Sequence, residues 1–414
     1  MAWAGPGLRG LAYVLVPIAL VLAHRNVGLA TALIGLTALP AAARLRLPRW
    51  TWPLLGVVVW LSLTSLWTPS VDDLSWAWRL PLAVLVAVAC VLASGQARVW
   101  ERKVFTGAIL LGIALLGVEA ISDGAIRDVM PPAERSHRDD VSSARGIGAA
   151  ILLLPPALLL LRQGGASVRR TLLVGSVGLL LLGLGVWRFG VIANGLALAA
   201  ILAFGALALA APRRTVTGLL LAAAASTLLV PLGALALPPP DVIEAMGEGP
   251  LSWRQRLLAW RLVADAAQAN VPTLLFGAGQ NAAGPLGDAA GTVRFPGTTG
   301  AIPRLPSHPH NVVLHLWYEG GLVALGLAAT GLAAAAHAAA RRAWPRDFAA
   351  GAAALGGAWL VAALIEVDLW SGWRWACLAL AVFGLRLAGA QDVVNPSAAR
   401  YRSAGSNRVR VPEG

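Results

Sequence analysis

The stretch that decides the fold covers residues 171–210 and reads TLLVGSVGLLLLGLGVWRFGVIANGLALAAILAFGALALA. It contains one charged residue, Arg188, between two apolar runs. With about 1.5 Å of rise per residue, each run as a helix approaches the roughly 30 Å thickness of the hydrocarbon core of a bilayer. Both runs are continuous and lack the apolar–polar alternation of a membrane β-barrel. The stretch therefore predicts two membrane-spanning α-helices joined by a very short connector.

Apolar runs of this kind recur along most of the 414-residue chain, in which 57% of residues are hydrophobic and 13% are charged. The mean hydropathy is +0.70. We therefore expect an all-α integral membrane protein with about 12 transmembrane helices. The predicted spans are 8–23, 27–43, 53–68, 80–95, 104–121, 147–161, 171–187, 191–211, 216–237, 310–338, 348–367 and 370–389.

These spans divide the chain into four regions. They are transmembrane helices 1–9 in residues 1–237, a large loop with short helices in 238–309, transmembrane helices 10–12 in 310–389, and a basic tail in 390–414. The two cysteines, Cys90 and Cys377, lie inside apolar runs and indicate no disulfide framework.

The charged residues are distributed unevenly over the predicted connectors. Arg9, the five connectors on the same side and the segment from Arg386 onward hold 20 of the 33 lysines and arginines, whereas the opposite side holds 16 of the 20 acidic residues. The positive-inside rule then places both termini in the cytoplasm and the loop 238–309 outside. The formal net charge of +13 is thus interpreted as an orientation signal, and no nucleic-acid partner is implied.

A group of polar residues precedes the tenth predicted span, in SHPHN at residues 307–311. Pro309 fits the first turn of a helix, which would place His310 at a helix N-terminus where the local field favours a neutral imidazole. A neutral imidazole can act as a general base, and Asn311 could orient a ring or a sugar hydroxyl. The alternatives are a helix-capping histidine without chemistry, or a metal site with His308. No cysteine or third histidine completes a zinc set, so no metal is predicted.

The large loop contains a predicted amphipathic helix. Its apolar face would carry Trp253, Leu257, Trp260, Ala264 and Ala267. Arg254, Arg261 and Asp265 would share the opposite face, and Arg256 would lie at the edge of the apolar one. Such a helix is expected to lie on the surface of the bundle or of the bilayer, with Arg256 either reaching into a site under the loop or extending to the membrane surface.

Further arginines lie on the predicted outer side. Arg188 occupies the short connector between two apolar spans, where a charged residue either extends to the surface or faces a cavity. The other outer arginines considered as support for a site are Arg79, Arg135, Arg138, Arg145 and Arg304. A guanidinium binds phosphate oxygens with two parallel hydrogen bonds. A base and several arginines at the outer edge of a membrane bundle therefore suit a lipid-linked pyrophosphate, whose tail lies in the bilayer and whose charge lies at its surface.

These residues resemble the signature of the O-antigen ligase family of integral-membrane glycan transferases. In that signature, His-Asn is followed after nine residues by Gly-x-x-Gly. Here His310 and Asn311 are followed after nine residues by Gly321, with Ala324 in place of the last glycine. The histidine of the motif is thereby implied to be His310.

The family also carries Arg-x-x-x-Leu or Arg-x-x-x-Trp in a large periplasmic loop, followed by a proline and Gly-x-Gly. Arg254 begins the first pattern here and Arg256 the second, and Pro272 and the sequence GAG at 277–279 follow. Both arginines fit, and the spacing to Pro272 favours Arg256. Arg188 resembles the arginine that the family has between two upstream spans.

The resemblance implies an inner-membrane enzyme of Gram-negative bacteria with its active site on the periplasmic face. It would transfer a glycan from an undecaprenyl-pyrophosphate-linked O-antigen donor to lipid A–core oligosaccharide in lipopolysaccharide biosynthesis, without metal, cofactor or nucleotide sugar. His310 would be the general base of an inverting displacement. The pyrophosphate-binding residues would be Arg188, Arg256, Arg254 and Arg261, with support from Asn311, Arg79, Arg145, Arg304 and His308.

Other functions stay open at this point. O-antigen polymerases and protein O-oligosaccharyltransferases belong to the same superfamily, and the absence of a large additional soluble domain favours the ligase among them. A transporter or lipid flippase is an alternative of a different class. It would be expected to carry charges deep inside its spans, whereas the candidates here lie at the predicted outer ends.

Overall fold

The computed structural model describes residues 4–22, 24–42, 47–70, 76–126 and 139–394. The helices within these ranges are α1 (Ala4–Val21), α2 (Val27–Leu36), α3 (Leu39–Ala42), α4 (Trp52–Thr64), α5 (Trp76–Ala93), α6 (Val99–Ile121), α7 (Asp139–Gln163), α8 (Val168–Phe189), α9 (Ile192–Ala210), α10 (Pro212–Leu235), α11 (Pro240–Glu244), α12 (Leu251–Ala267), α13 (Val271–Phe276), α14 (Ala283–Ala290), α15 (Val312–Ala340), α16 (Arg346–Ile365) and α17 (Gly372–Val394). Two short strands, β1 (Thr292–Val293) and β2 (Ile302–Pro303), pair antiparallel.

Eight of the described helical segments are long and apolar enough to cross a membrane. They are Ala77–Gln96, Val99–Ile121, Ser142–Gln163, Val168–Phe189, Ile192–Ala210, Pro212–Leu235, Val312–Ala340 and Arg346–Ile365. The predicted class, an all-α multi-pass membrane protein, is confirmed at this level. The remaining four predicted spans fall on α1, the α2–α3 pair, α4 and α17, which are helical but not among the eight. The number twelve therefore stays a prediction.

Small residues let the helices approach one another closely. A Cβ atom added to Gly357 of α16 would lie 2.2 Å from the ring of Phe204 on α9, and one added to Gly331 of α15 would lie 2.6 Å from the side chain of Leu54 on α4. Since apolar surface gains little by moving from lipid to another helix, this kind of close van der Waals packing is a main source of helix association in membranes.

Between α10 and α15 the chain forms a folded segment, residues 236–311, which we call the long connector. It contains α11 to α14 and the β1–β2 hairpin, so the predicted short helices are present. Alanine and valine side chains of α12, such as Ala259 and Val263, pack in one cluster with Leu314 and Trp317 of α15. The long connector therefore packs on the N-terminal end of α15, just after the predicted catalytic residue His310.

The predicted faces of α12 are wrong in one respect. Arg254 was expected on the polar face, opposite the apolar residues, but its side chain is buried. The reason is a second layer, in which Ile243 of α11 and Val293 and Phe295 of the hairpin region cluster with Leu258. This layer covers part of the side of α12 that faces away from α15, so Arg254 is buried although the helix packs on the bundle.

Backbone contacts fasten the long connector to α15 at a break in that helix. Gly321 has a left-handed backbone inside α15, with φ of +67°. The Ala278 N–H donates to the Tyr318 carbonyl at 2.7 Å, and the Gly279 N–H donates to the Glu319 carbonyl at 3.2 Å. A Cβ atom on Gly277 would lie 2.3 Å from the Glu319 oxygen. The glycines that carry the family resemblance therefore permit direct backbone contact between these two segments.

Two predicted boundaries differ from the structure. The outer loop between the predicted spans 104–121 and 147–161 was expected to extend from Ser122 to Arg145, but α7 begins at Asp139, so Arg145 lies within that helix. Of the other arginines predicted in this loop, Arg135 and Arg138 lie outside the described residues. The basic tail was expected from residue 390, but α17 continues to Val394, and residues 395–414 lie outside the described part of the chain.

Candidate active site

A cavity of about 320 Å³ opens where several helix ends meet. Its walls come from the start of α7, the α8–α9 connector, α12, the end of α16 and the start of α17, together with His310. The polar side chains that line it are those of Arg145, Asn194, Ser252, Arg256, His310, Glu366 and Arg374. Three guanidinium groups and a single carboxylate give this wall a surplus of positive charge when the histidine is neutral.

Glu366, directly after α16, lies between two of these arginines. The Nη2 atom of Arg256 donates to its Oε2 atom at 2.9 Å, and the Nη2 atom of Arg374 donates to its Oε1 atom at 2.8 Å. The two arginines come from different parts of the chain, α12 in the long connector and α17 in the bundle. One carboxylate thus joins the long connector to the bundle at the cavity wall.

His310 lies before α15 and not inside it. Asn311 is the N-cap, because its side-chain oxygen accepts from the N–H groups of Val313 and Leu314 at 3.0 and 3.1 Å. The expectation that Pro309 occupies the first helical turn is therefore wrong, as is the expectation that the histidine is in the helix. An asparagine is a strong N-cap residue, and its cap leaves the imidazole free of that role.

The backbone around His310 is held on both sides. His310 itself has a left-handed conformation, with φ of +54°. The indole N–H of Trp260 on α12 donates to the Pro309 carbonyl at 2.9 Å, and the Asn311 side-chain amide donates to the Leu364 carbonyl at 2.7 Å. These two bonds hold the turn at residues 309–311 between α12 and α16. His310, in the middle of this turn, lines the cavity.

The tautomer of His310 follows from its neighbour. The Nδ1 atom lies 3.4 Å from the backbone carbonyl oxygen of Glu366, and a carbonyl oxygen can only accept. In the neutral ring Nδ1 therefore carries the proton, and Nε2 has the lone pair. Burial lowers the pKa of His310 below its usual 6.5, with the Glu366 charge opposing this shift and the Arg256 charge adding to it. Burial thus favours the neutral form that was expected from the sequence.

His308 lies beside His310 but has other partners. The two ring centroids are 4.3 Å apart. The Nδ1 atom of His308 is 3.0 Å from the Ser307 hydroxyl, and its Nε2 atom is 3.7 Å from an oxygen of Asp368. Burial lowers the pKa of His308 as well. His308 is not part of the cavity wall, and it packs behind the ring of His310.

His315 belongs to a separate buried network. Its Nδ1 atom accepts from the Leu369 N–H at 3.1 Å, and its Nε2 atom is 2.9 Å from the carboxylate of Glu319. The same carboxylate accepts from the N–H of Asn281 and from the indole N–H of Trp370. This network ties the long connector and the α16–α17 connector to α15 outside the cavity.

Arg256 and Arg254, two residues apart on α12, have different environments. Arg256 lines the cavity. Arg254 donates to the carbonyl oxygens of Met246 and Pro296 at 2.7 and 3.1 Å, and its guanidinium lies 5.2 Å from the ring centroid of Phe295. Arg254 thus holds the second layer of the long connector together, and the geometry favours Arg256 as the arginine that meets a ligand.

Two more predicted arginines fasten the long connector at a distance from the cavity wall. Arg261 pairs with Asp265 at 3.0 Å and donates to the carbonyl oxygens of Leu235 and Leu237, which connects α12 to the end of α10. Arg304 pairs with Glu244 at 3.0 Å. Neither is among the residues that line the cavity.

The remaining predicted arginines lie at different distances from the site. Arg145 is in the cavity wall. Arg188 was expected in the connector between two spans, but it lies in the last turn of α8. It forms an ion pair with Asp123 and lies over the ring of Phe189, while residues 189–194 line the cavity. Arg79 lies 5.8 Å from the ring centroid of Trp78 on α5 and is not in the wall.

Glu366, Arg374 and Asn194 were missed from the sequence. Glu366 and Arg374 flank the very short connector between two apolar helices, in EVDLWSGWR. The density of charge there was a usable signal, since ionisable residues at the ends of membrane helices often face a cavity. Asn194 is buried in α9 and donates to the Ala144 carbonyl at 2.7 Å. A lone asparagine in an apolar run gives no comparable signal.

Among the residues that the structure describes, no group of three or more histidine, cysteine, aspartate or glutamate side chains is arranged to hold a metal ion. A comparison of the chain with protein-family models finds no match, and a comparison with curated proteins finds no significantly similar sequence.

Proposed function

We propose that this protein is an O-antigen ligase, an inner-membrane glycosyltransferase that moves a glycan from undecaprenyl pyrophosphate to lipid A–core oligosaccharide on the periplasmic side. The observation that carries the proposal is the position of His310 and Arg256 in the wall of one cavity at the ends of apolar helices. A donor with a prenyl tail and a charged headgroup fits such a position. The motif resemblance through His310, Asn311 and Gly321 supports the same assignment.

His310 is the general base in this proposal. Its Nε2 lone pair takes the proton of an acceptor sugar hydroxyl while that oxygen attacks the anomeric carbon of the donor. The bond between the anomeric carbon and the pyrophosphate oxygen breaks, and its electron pair leaves with undecaprenyl pyrophosphate. A single displacement inverts the anomeric centre and forms no covalent sugar–enzyme intermediate. The imidazolium then returns its proton to solvent.

The arginines of the cavity bind the donor pyrophosphate and stabilise the charge that develops on it. Arg256 and Arg145 line the cavity and can present N–H groups to phosphate oxygens. Stabilisation of a developing anion by positioned donors is commonly a large contribution to catalysis. Arg188 is proposed as a further ligand from the family resemblance. Its side chain is at the surface and its ion pair with Asp123 is part-exposed, so the guanidinium can exchange that partner for a phosphate.

Loss of the gene and a gel of the cellular lipopolysaccharide test the proposal. The ligase predicts lipid A–core without attached polymer, together with polymer that accumulates on its lipid carrier. Core that carries a single repeat unit would assign a polymerase instead. Normal lipopolysaccharide with an unglycosylated surface protein would assign a protein O-oligosaccharyltransferase, and a defect in which the lipid-linked donor stays in the cytoplasmic leaflet would assign a flippase.

A further inference from the structure

Arg374 has an unusual position for a cation. It lies near the start of α17, its side chain is almost completely buried, and it faces the cavity. Its Nη2 atom donates to Glu366 at 2.8 Å, and its guanidinium lies 4.6 Å from the ring centroid of Trp373. A buried guanidinium is costly unless an anion compensates its charge, and within the described residues its ion-pair partner is Glu366.

Glu366 divides its two carboxylate oxygens between two arginines. One oxygen accepts from Arg374 and the other from Arg256, and these arginines belong to the bundle and to the long connector. Two guanidinium groups from separate elements thus bind one anion, and they could bind the oxygens of a phosphate group in the same way. A carboxylate has two oxygens and one negative charge, so a pyrophosphate offers more acceptors and more charge to the same donors.

The charges of the cavity wall support an exchange of one anion for another. Arg256 and Arg374 contribute two positive charges, and Glu366, which lies between them, contributes one negative charge. A lipid-linked sugar pyrophosphate has two negative charges and acquires a third on its leaving oxygen when the glycan departs. With Glu366 still bound between these two arginines, a net charge of only one remains for the donor. Release of the carboxylate when the donor binds leaves both guanidinium groups to the pyrophosphate, and they are then in place when the third negative charge forms.

We propose, on the basis of the donor-binding function proposed above, that Arg374 is a direct ligand of the donor pyrophosphate and that Glu366 is the carboxylate which this pyrophosphate displaces. In the absence of donor, Glu366 keeps Arg256 and Arg374 in place and neutralises part of their charge. When donor binds, phosphate oxygens replace the carboxylate oxygens. The resting enzyme thus contains its own competitor for the anion site.

Binding measurements on the purified full-length protein in detergent test this proposal. The probes are inorganic pyrophosphate and farnesyl pyrophosphate, and titration calorimetry gives the dissociation constant for each. Arg374→Gln and Arg256→Gln should each weaken binding by about 10- to 100-fold, as expected for loss of one charge-assisted contact. Glu366→Gln should tighten binding by about 10-fold, because the competing charge is removed. Arg342→Gln, beyond the far end of α15, changes the net charge by the same amount and should leave binding unchanged.

The outcomes distinguish failure of the roles proposed for Arg374 and Glu366 from failure of the pyrophosphate site itself. If Arg256→Gln weakens binding while Arg374→Gln and Glu366→Gln leave it unchanged, Arg374 is only a structural partner of Glu366, and the proposed ligase function stands. If the wild-type protein binds both probes no better than Arg256→Gln does, the pyrophosphate site itself is refuted. Should Arg374→Gln fail to fold, Glu366→Gln decides alone: tighter binding supports the exchange, and equal or weaker binding overturns it. Comparison of the two probes distinguishes recognition of the lipid from recognition of pyrophosphate.

Discussion

The Nδ1 atom of His310 lies 3.4 Å from the backbone carbonyl oxygen of Glu366, whose side chain holds Arg256 at 2.9 Å. One residue therefore contacts the proposed base through its backbone and a proposed phosphate-binding arginine through its carboxylate. The contact to the carbonyl gives Nδ1 the proton and leaves Nε2 with the lone pair. Since the carbonyl belongs to the residue after α16, the base and the arginine are positioned by the end of the same helix.

The pH dependence of transfer should reflect the neutral form of His310. Burial lowers the pKa of His310 below 6.5, and the neutral ring is the active form. The value of kcat/KM should therefore be level from about pH 7 to 8 and should fall as the pH decreases through a pKa below 6.5. Initial rates across this range measure it. A loss of activity centred above 6.5, or an unchanged acid limb in the residual activity of a His310 variant, would assign the titration to another group.

The contact between the long connector and α15 should depend on two glycines. Gly277 and Gly321 have positive φ angles, and a Cβ atom on Gly321 would lie 2.4 Å from the Leu275 oxygen. Gly277→Ala or Gly321→Ala should lower the free energy of unfolding by about 2–5 kcal/mol through backbone strain and overlap. Gly284→Ala is the control, because nothing lies within 4 Å of its added Cβ atom. Thermal unfolding in detergent measures the effect, and equal melting temperatures for all three variants would contradict it.

His315 should matter for stability more than for chemistry. Removal of its ring leaves the Leu369 N–H and the Glu319 carboxylate each without one partner. An unsatisfied buried polar group costs about 1–3 kcal/mol, so His315→Ala should unfold at a clearly lower temperature. His337→Ala, at an exposed position near the other end of α15, is the matched control. The rate per folded molecule should stay close to that of the wild type, and a selective loss of rate at unchanged stability would instead bring His315 into the mechanism.

The helices were predictable because hydrophobicity along a segment is a local property. The runs at 171–187 and 191–211 correspond to α8 and α9, and the helix at α12 was recognised from its periodicity. Which face of α12 is buried was not predictable in the same way. The cover formed by Ile243 and Phe295 comes from segments before and after α12, and no periodicity within the helix reveals that cover.

The candidate site was predictable to the extent that its residues lie in a motif or in the predicted outer loop. His310 and Arg256 were recognised in this way, and the structure brings both into one cavity. Asn311 was recognised, but its role as the N-cap was not, although asparagine is among the preferred capping residues. Glu366 and Arg374 appeared as ordinary charges at the ends of apolar spans. Their importance arises only from the tertiary contact of α16 and α17 with α12.

The orientation of the chain is a prediction from its arginine distribution, and gene fusions can test it. Alkaline phosphatase, which is active only outside the cytoplasm, should be active when fused near Gly284 and inactive when fused near Arg342. The reason is that the positive-inside rule places the long connector outside and the basic α15–α16 connector inside. The reverse pattern would put the cavity on the cytoplasmic face, and a periplasmic glycan transfer would then be impossible at that site.

Replacement of His310 provides the sharpest test of the proposed chemistry. Because its φ is +54°, a substitute must tolerate a left-handed backbone, and asparagine does so better than alanine or glutamine. His310→Asn should therefore stay folded, keep some hydrogen-bonding capacity and lose the ability to take a proton. Transfer should fall by about 10²- to 10⁴-fold, the usual contribution of general-base catalysis.

The matched control is His308→Asn, which removes the neighbouring imidazole outside the cavity wall. It should retain far more activity than His310→Asn, because His308 is not proposed to contact the acceptor. Both variants are purified in detergent, checked by gel filtration and thermal unfolding, and assayed with lipid-linked donor and lipid A–core acceptor. A fully active His310→Asn enzyme would reduce His310 to a structural residue, since an amide cannot accept the proton, and the base would then have to be sought among the other groups around the cavity.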